Sequence, residues 1–305
     1  MENRFSRRHF LTSVPLSTAV LVNIATEKAY TETSTAFHLN YAPHFGMFEH
    51  HAGENLIDQI KFIADQGFTA IEDNGMKARE KKLQENIANE MARLNLAMGV
   101  FVAYADFKEK TFVTADPDIR NMLIKQMTEA VETAKRIHAR WCTVVPGAFD
   151  PGQEWNYQTA NVIENLKWCA DVCEPAALIM VLEPLNPWKD HPGLFLTKIS
   201  QAYQICRAVK SPSCKILDDL YHQQVTEGNL IPNIDQAWNE IAYFQVGDNP
   251  GRKEPTTGEI NYKNIFKHLY EKGYNGIIGM EHGNSKPGKA GEMAVIQGYR
   301  TCDAF

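Results

Sequence analysis

From about residue 37 onward, short apolar runs alternate with amphipathic stretches at the helical period. Residues 37–41 read as a first strand. Residues 54–66 form an amphipathic helix with Leu56, Ile60, Ile63 and Ala64 on one face, and Gly67 follows as its stop. A second strand covers 68–72 and a helix 81–94. The apolar run 97–104 reads as a strand buried on both faces. Asp116-Pro117 opens a helix to about 137, with Asp116 as N-cap and Pro117 at the first helical position. The alternation continues as strand 141–145 and helix 158–172, strand 178–182 and helix 196–209, strand 215–219 and helix 234–239. Strand 243–246 is followed by helix 262–272, and strand 276–280 by helix 291–302.

Repeated strand–helix units imply a parallel sheet covered by helices. Eight of them in this length favour an α/β fold of the closed (β/α)8 TIM barrel type over an open doubly wound sheet. Gly67-Phe68-Thr69-Ala70-Ile71 and Gly273-Tyr274-Asn275-Gly276-Ile277 echo each other as helix stop, aromatic, small residue and strand. The glycine-rich dinucleotide fingerprint and the P-loop are both absent from the sequence. Nothing linker-like divides the body, so residues 37–305 read as a single catalytic domain.

In such barrels the active site lies at the C-terminal ends of the strands. Glu183, Asp219, Gln245 and Glu281 fall there on the last four strands, 36, 26 and 36 residues apart. Neighbouring strands are ~4.8 Å apart, so four such side chains can surround one ion. Three carboxylates and an amide oxygen are hard ligands, which favours Mg²⁺ or Mn²⁺ over a thiolate zinc site. Asp218 and Asp219 compete for one position, and strand alternation points them to opposite faces. His222, three residues after Asp219, suits substrate binding or the orientation of a ligand. Arg252 sits on a long Gly- and Pro-containing loop after the seventh strand, where a guanidinium could hold a substrate oxygen. Tyr41, His44, Phe45, Tyr104 and Trp188 are candidates for pocket walls, although core or rim packing is the stronger reading for any one of them.

Composition changes this picture little. The 305 residues are 44% hydrophobic and 22% charged, with a net charge of −6. That supports a large core and lacks the basic patch expected of a nucleic-acid binder. The six cysteines include no CxxC pair, so buried free thiols are expected. The body contains no candidate membrane span. Homo-oligomerisation is left open.

The N-terminus reads as an address. Ser6-Arg7-Arg8-His9-Phe10-Leu11 is a twin-arginine pattern followed by a moderately apolar stretch. Residues 1–33 are therefore expected to be a signal segment outside the fold. The protein is expected to be exported by the twin-arginine route to the periplasm.

Four stretches also carry a family resemblance: Leu182-Glu183-Pro184-Leu185-Asn186, Asp219-Leu220-Tyr221-His222-Gln223-Gln224, residues 250–262, and Gly279-Met280-Glu281. With them the body resembles the hydroxypyruvate isomerase family of the xylose-isomerase-like barrels. The resemblance favours Asp219 over Asp218. It implies that Glu183 and Glu281 are both metal ligands and the acid–base pair, that Asp219 and Gln245 complete the metal site, and that His222 and Arg252 touch substrate oxygens. The stretch Trp188-Lys189-Asp190-His191 departs from the family pattern. The expected activity is metal-dependent isomerisation of a small sugar or hydroxy-keto acid through an enediolate. A ketose 3-epimerase, a keto-inositol dehydratase and a noncatalytic exported sugar-binding barrel are the alternatives. A phosphodiesterase of the apurinic-site endonuclease type would need more histidine ligands and a basic face.

Overall fold

A computed structural model describes residues 36–305. The twin-arginine pattern and the remainder of the expected signal segment lie outside the described residues. The strands, in chain order, are β1 (Asn40–Ala42), β2 (Ala70–Ile71), β3 (Ala97–Met98), β4 (Val102–Ala105), β5 (Trp141–Val145), β6 (Ile179–Leu182), β7 (Cys214–Asp219), β8 (Ile241–Gln245) and β9 (Ile277–Gly279). β3 and β4 are two halves of the run expected to be one strand, so eight strand positions remain. Between them the Gly99 N–H still donates to the Ile71 carbonyl at 2.8 Å, and the missing Cβ leaves room for two interior side chains. A Cβ there would lie 2.4 Å from the Tyr243 hydroxyl and 3.1 Å from Glu72 Cβ.

Seven strands pair in the order β1-β9-β8-β7-β6-β5-β4, and β2 pairs with β3. Every named pairing is parallel. The Glu72 N–H donates to the Pro43 carbonyl at 3.1 Å and ties β2 to β1, while the chain runs from β3 through residues 99–101 into β4, so the two sheets close into a ring. The result is the expected TIM barrel.

The helices are α1 (Glu49–Ala52), α2 (Leu56–Asp65), α3 (Lys81–Arg93), α4 (Pro117–Ile137), α5 (Trp155–Cys173), α6 (Ile199–Val209), α7 (Leu220–Thr226), α8 (Leu230–Ala237), α9 (Tyr262–Glu271) and α10 (Gly288–Asp303). Asp116 caps α4 as expected, its Oδ1 accepting the Asp118 N–H at 2.8 Å. Gly67 and Gly273 follow α2 and α9 with φ of 86° and 75°, a left-handed conformation that glycine adopts without a Cβ clash. The short helices α1 and α7 were not expected, because neither is long enough to display an amphipathic period. α8 begins four residues before the expected start at 234.

Two apolar layers hold these elements. Ala42, Ala70, Val100, Val181, Leu217, Tyr243 and Ile277 form a compact cluster contributed by the strands. A larger cluster, including Phe48, Ile60, Leu166, Ile205, Phe266 and Tyr299, packs helices against the sheet. Tyr41 belongs to the second layer: it is fully buried, and its hydroxyl donates to Asp303 Oδ1 of α10 at 2.8 Å. It therefore walls no pocket. Trp188 is 76% exposed. All six cysteines are buried and free, as expected. Among the described residues, no helix is long and apolar enough to cross a membrane.

Candidate active site

Glu183 follows β6, Asp219 ends β7, Gln245 ends β8 and Glu281 lies just beyond β9. These four strands are consecutive in the ring. Their register sets Asp219 beside Gln245, and Gln245 beside Gly279. One ligand atom from each of Glu183, Asp219, His222 and Glu281 lies within 4.8 Å of the others. Glu183, Asp219, His222 and Gln245 are buried, and Glu281 keeps 25% of its side-chain exposure.

Local structure explains the aim of each group. Pro184 supplies no N–H to continue the ladder, so the chain leaves the sheet directly after Glu183. Asp219 caps α7: its Oδ1 accepts the N–H groups of Tyr221 at 2.8 Å and His222 at 3.4 Å. Its Oδ2 faces the cluster, 3.1 Å from Arg252 Nη2 and 3.5 Å from His222 Nε2. Asp218, one residue earlier, is turned away from the cluster by strand alternation. Burial and the neighbouring Asp219 push its carboxyl up to about 8.

His222 is completely buried. Asn186 holds its Nδ1 through the backbone N–H at 3.3 Å and the side-chain amide at 2.7 Å. Nε2 lies 4.0 Å from Glu183 Oε1 and has no hydrogen-bond partner among the described residues. Burial pushes the imidazole pKa down to about 4, so the ring is neutral near pH 7.

Arg252 arrives from the long loop after β8. Asp248 braces that loop by accepting the N–H groups of Gly258 at 2.8 Å and Ile260 at 3.1 Å. Arg252 itself has φ of 52°, a left-handed conformation rarely tolerated by a residue with a Cβ and common at functional sites. Its Nη2 donates to Asp219 Oδ2 at 3.1 Å and Glu281 Oε2 at 2.6 Å, and its Nε to the Glu281 carbonyl at 3.2 Å. The guanidinium also lies over the Tyr221 ring, 5.0 Å from its centroid.

Two of the three carboxyl groups, Asp219 and Glu281, thus share one guanidinium. Burial and the charges of Glu281 and Asp219 raise the Glu183 carboxyl well above its ordinary range. Burial pushes Glu281 up to about 7, although Arg252 pulls the other way. Such a set fits a divalent cation, which would compensate the crowded negative charge that burial otherwise drives toward protonation. Gln245 supports the same fit. Its Nε2 lies 3.3 and 3.4 Å from the two Glu72 oxygens, while its buried Oε1 has no hydrogen-bond partner among the described residues.

A cavity of about 160 Å³ opens beside the cluster, lined in part by Asn74, Phe107, Thr143, His191, His222 and Arg252. Phe107 stacks on His191 at 5.1 Å between ring centroids. A second cavity of about 290 Å³ shares Asn74 and Glu281 and adds His44, Phe45 and Arg79. Asn74 Nδ2 donates to Glu281 Oε1 at 2.9 Å, where the two cavities share these residues.

Sequence reasoning did not single out Glu72, Asn74, Asn186 or Tyr243. Glu72 carried the same signal as Glu183, an acid directly after an apolar strand, but on the second strand position rather than the last four. Asn186 was visible as part of the Glu183 stretch without a role.

The geometry is that of an enzyme-type barrel with its polar groups gathered at the strand ends. Residues 60–301 match the family described as xylose isomerase-like TIM barrel, and the chain belongs to that family. A 2-oxo-tetronate isomerase from Pectobacterium atrosepticum is 29% identical over 231 residues, 74% of this chain and 86% of that protein. A hydroxypyruvate isomerase from Escherichia coli is 38% identical over 123 residues, 40% of this chain and 47% of that protein. The second alignment therefore spans about half the length of the relative. A solved structure described as an AP endonuclease, family 2, from Brucella melitensis superposes with a TM-score of 0.72 at 22% identity, covering 83% of this chain and 96% of that one. At that identity the likeness shows the fold alone.

Proposed function

We propose that this protein is a divalent-metal-dependent isomerase of a small hydroxy-keto acid or sugar. The observation that carries the reading is the convergence of Glu183, Asp219 and Glu281 on one point, with the unpartnered Oε1 of Gln245 at the adjacent strand end. The named activities of the two relatives support it.

Glu183, Asp219, Gln245 and Glu281 would hold the ion, with Mg²⁺ or Mn²⁺ matching the oxygen donors. When bound, the ion supplies Lewis-acid stabilisation of charge developing on adjacent substrate oxygens. Glu183 and Glu281 flank the place where the reacting carbons would lie. One removes a carbon-bound proton, the hydroxyl proton passes to the former carbonyl oxygen, and the other glutamate returns a proton to the neighbouring carbon, so that carbonyl and hydroxyl exchange places through an enediolate. His222 offers a neutral N–H donor to a substrate oxygen, and Arg252 offers positive charge to the developing enediolate. Phe107 and His191 stack to form one wall of the cavity.

The direct test is turnover of hydroxypyruvate to its aldehyde isomer before chelation, after chelation, and after Mg²⁺ or Mn²⁺ is restored. Activity that chelation abolishes and either ion restores supports the reading. Full activity in the chelated protein contradicts it.

Export through the twin-arginine route belongs to the same proposal, supported by Arg7-Arg8 and the apolar stretch after them. Fractionation of a bacterium carrying that route should place the protein in the periplasm. The double substitution Arg7→Lys and Arg8→Lys should keep it in the cytoplasm. Unchanged fractionation would remove the export reading.

A further inference from the structure

A fourth acid lies beside the cluster without joining it. Glu72 directly follows β2 and is 1% exposed. Its Oε2 accepts the Tyr243 hydroxyl at 3.1 Å, and its two oxygens lie 3.3 and 3.4 Å from Gln245 Nε2. The Tyr243 oxygen in turn receives the Val100 N–H at 3.4 Å. The hydroxyl hydrogen of Tyr243 is therefore free to point at Glu72. Hydrogen-bond direction runs from Val100 through Tyr243 to Glu72, and from the Gln245 amide to Glu72. The carboxylate is the shared acceptor at the end of both.

An amide whose NH₂ is held on one side must present its oxygen on the other. That oxygen, Gln245 Oε1, is buried with no partner among the described residues. The backbone makes room for the arrangement. A Cβ on Gly279 would sit 2.0 Å from Glu72 Oε2 and 2.9 Å from Gln245 Cγ. A Cβ on Gly99 would sit 2.4 Å from the Tyr243 hydroxyl. Two strand positions without side chains thus leave a cradle for one carboxylate and its two donors.

We infer that Glu72 is a positioning residue: it fixes the Gln245 amide with its oxygen toward the carboxylate cluster and thereby sets the metal affinity of the site. The inference rests on the metal-holding reading of the cluster. Glu72 is not one of the groups that converge on the candidate ion position, although it borders the cavity shared by Asn74 and Glu281. Its influence passes through Gln245, as outer hydrogen-bond partners commonly orient metal ligands.

The test is titration of the full chain with Mn²⁺, reading free hydrated Mn²⁺ by electron paramagnetic resonance, with thermal midpoints measured in parallel. Glu72→Ala should weaken Mn²⁺ binding by ~10–100-fold. Glu72→Gln should stay within about threefold of wild type, because its amide oxygen can still accept from Gln245. Gln245→Ala should lose about as much as Glu72→Ala, and the double variant no more than Gln245→Ala alone, since one residue acts through the other. A purely structural role would lower the thermal midpoint and make the losses additive, which would overturn the inference. So would a folded Glu72→Ala chain with wild-type affinity. Should Glu72→Ala not fold, Glu72→Asp takes its place: it keeps a carboxyl group but withdraws it from Gln245. A loss of about fivefold or more then supports the inference, and a smaller change overturns it. A wild-type chain that binds no Mn²⁺ overturns the metal reading and this inference with it. Wild-type binding with unaffected Glu72 variants overturns this inference alone.

Discussion

The backbone N–H of Asn186 points at Nδ1 of His222 at 3.3 Å, and the Asn186 side-chain amide lies 2.7 Å from the same nitrogen. A backbone N–H can only donate, so Nδ1 is an acceptor and carries no hydrogen. The ring is neutral, and its hydrogen therefore sits on Nε2, the nitrogen facing Asp219 and Glu183. A protonated Nε2 cannot ligate an ion, although His222 lies close enough to the carboxylates to be taken for a ligand. Its geometry instead suits a hydrogen-bond donor to substrate.

His222→Ala should accordingly lower kcat/KM by ~10²–10³-fold, the usual cost of losing a donor to developing charge. Mn²⁺ affinity should stay within about threefold of wild type, whereas Asp219→Asn should lose most of it. Paired kinetics and metal titration check this. A His222→Ala chain that loses metal as Asp219→Asn does would make Nε2 a ligand.

Arg252 is the cation that meets the carboxylate cluster through its 3.1 and 2.6 Å contacts to Asp219 and Glu281. Arg252→Ala should destabilise the metal-free protein by about 2 kcal/mol, the scale of hydrogen bonds to charged groups. The loss should depend on pH. Glu281 has its folded pKa raised to about 7, above its unfolded value, so it favours folding in acid and this contribution is lost as pH rises through 7. Denaturant unfolding of the chelated variant should show a larger deficit at pH 8 than at pH 5.5. Mn²⁺ should restore much of it. An equal deficit at both values would mean that Arg252 stabilises the protein by packing on Tyr221 rather than by charge.

Acid should act on His282. The ring is buried, with Nε2 3.0 Å from the Tyr299 hydroxyl and Nδ1 3.1 Å from the Gly283 carbonyl. Burial pushes its pKa down to about 3. A histidine whose folded pKa lies below its unfolded value destabilises the fold when the unfolded chain takes up the proton. Its contribution is complete above about pH 6.5 and is lost progressively as pH falls toward 3. His282 should therefore cost the metal-free protein on the order of 1 kcal/mol per pH unit across that window, a contribution reinforced by buried His222 and opposed by the raised carboxyls of Glu183 and Glu281. His282→Gln should flatten the dependence, as measured by urea unfolding at pH 7 and pH 5. An unchanged slope would assign acid sensitivity to another group.

The barrel was legible because a buried parallel strand and an amphipathic helix leave different periods in the chain. Most elements accordingly fall within a few residues of expectation. The convergence of Glu183, Asp219 and Glu281 was legible because, with Gln245 on β8, they fall at the ends of four consecutive strands. What the sequence concealed depended on contacts across the barrel. Gly99 stands between β3 and β4 where Tyr243 and Glu72, distant in sequence, occupy the space a Cβ would need. The helix α7 is too short for a periodic signal and is instead started by the Asp219 cap. Asn186 lay within a stretch already noticed, but its hold on His222 exists only once β6 and β7 are adjacent.

The most direct test of the proton-transfer claim is solvent deuterium exchange, followed by proton NMR of hydroxypyruvate incubated in D₂O with the Mg²⁺- or Mn²⁺-loaded protein. Wild type should place deuterium on carbon in step with formation of the aldehyde isomer. Glu183→Gln and Glu281→Gln should each nearly abolish turnover while keeping the wild-type fold. Undiminished turnover and deuterium incorporation in both folded variants would contradict the assignment of these two glutamates as the proton carriers.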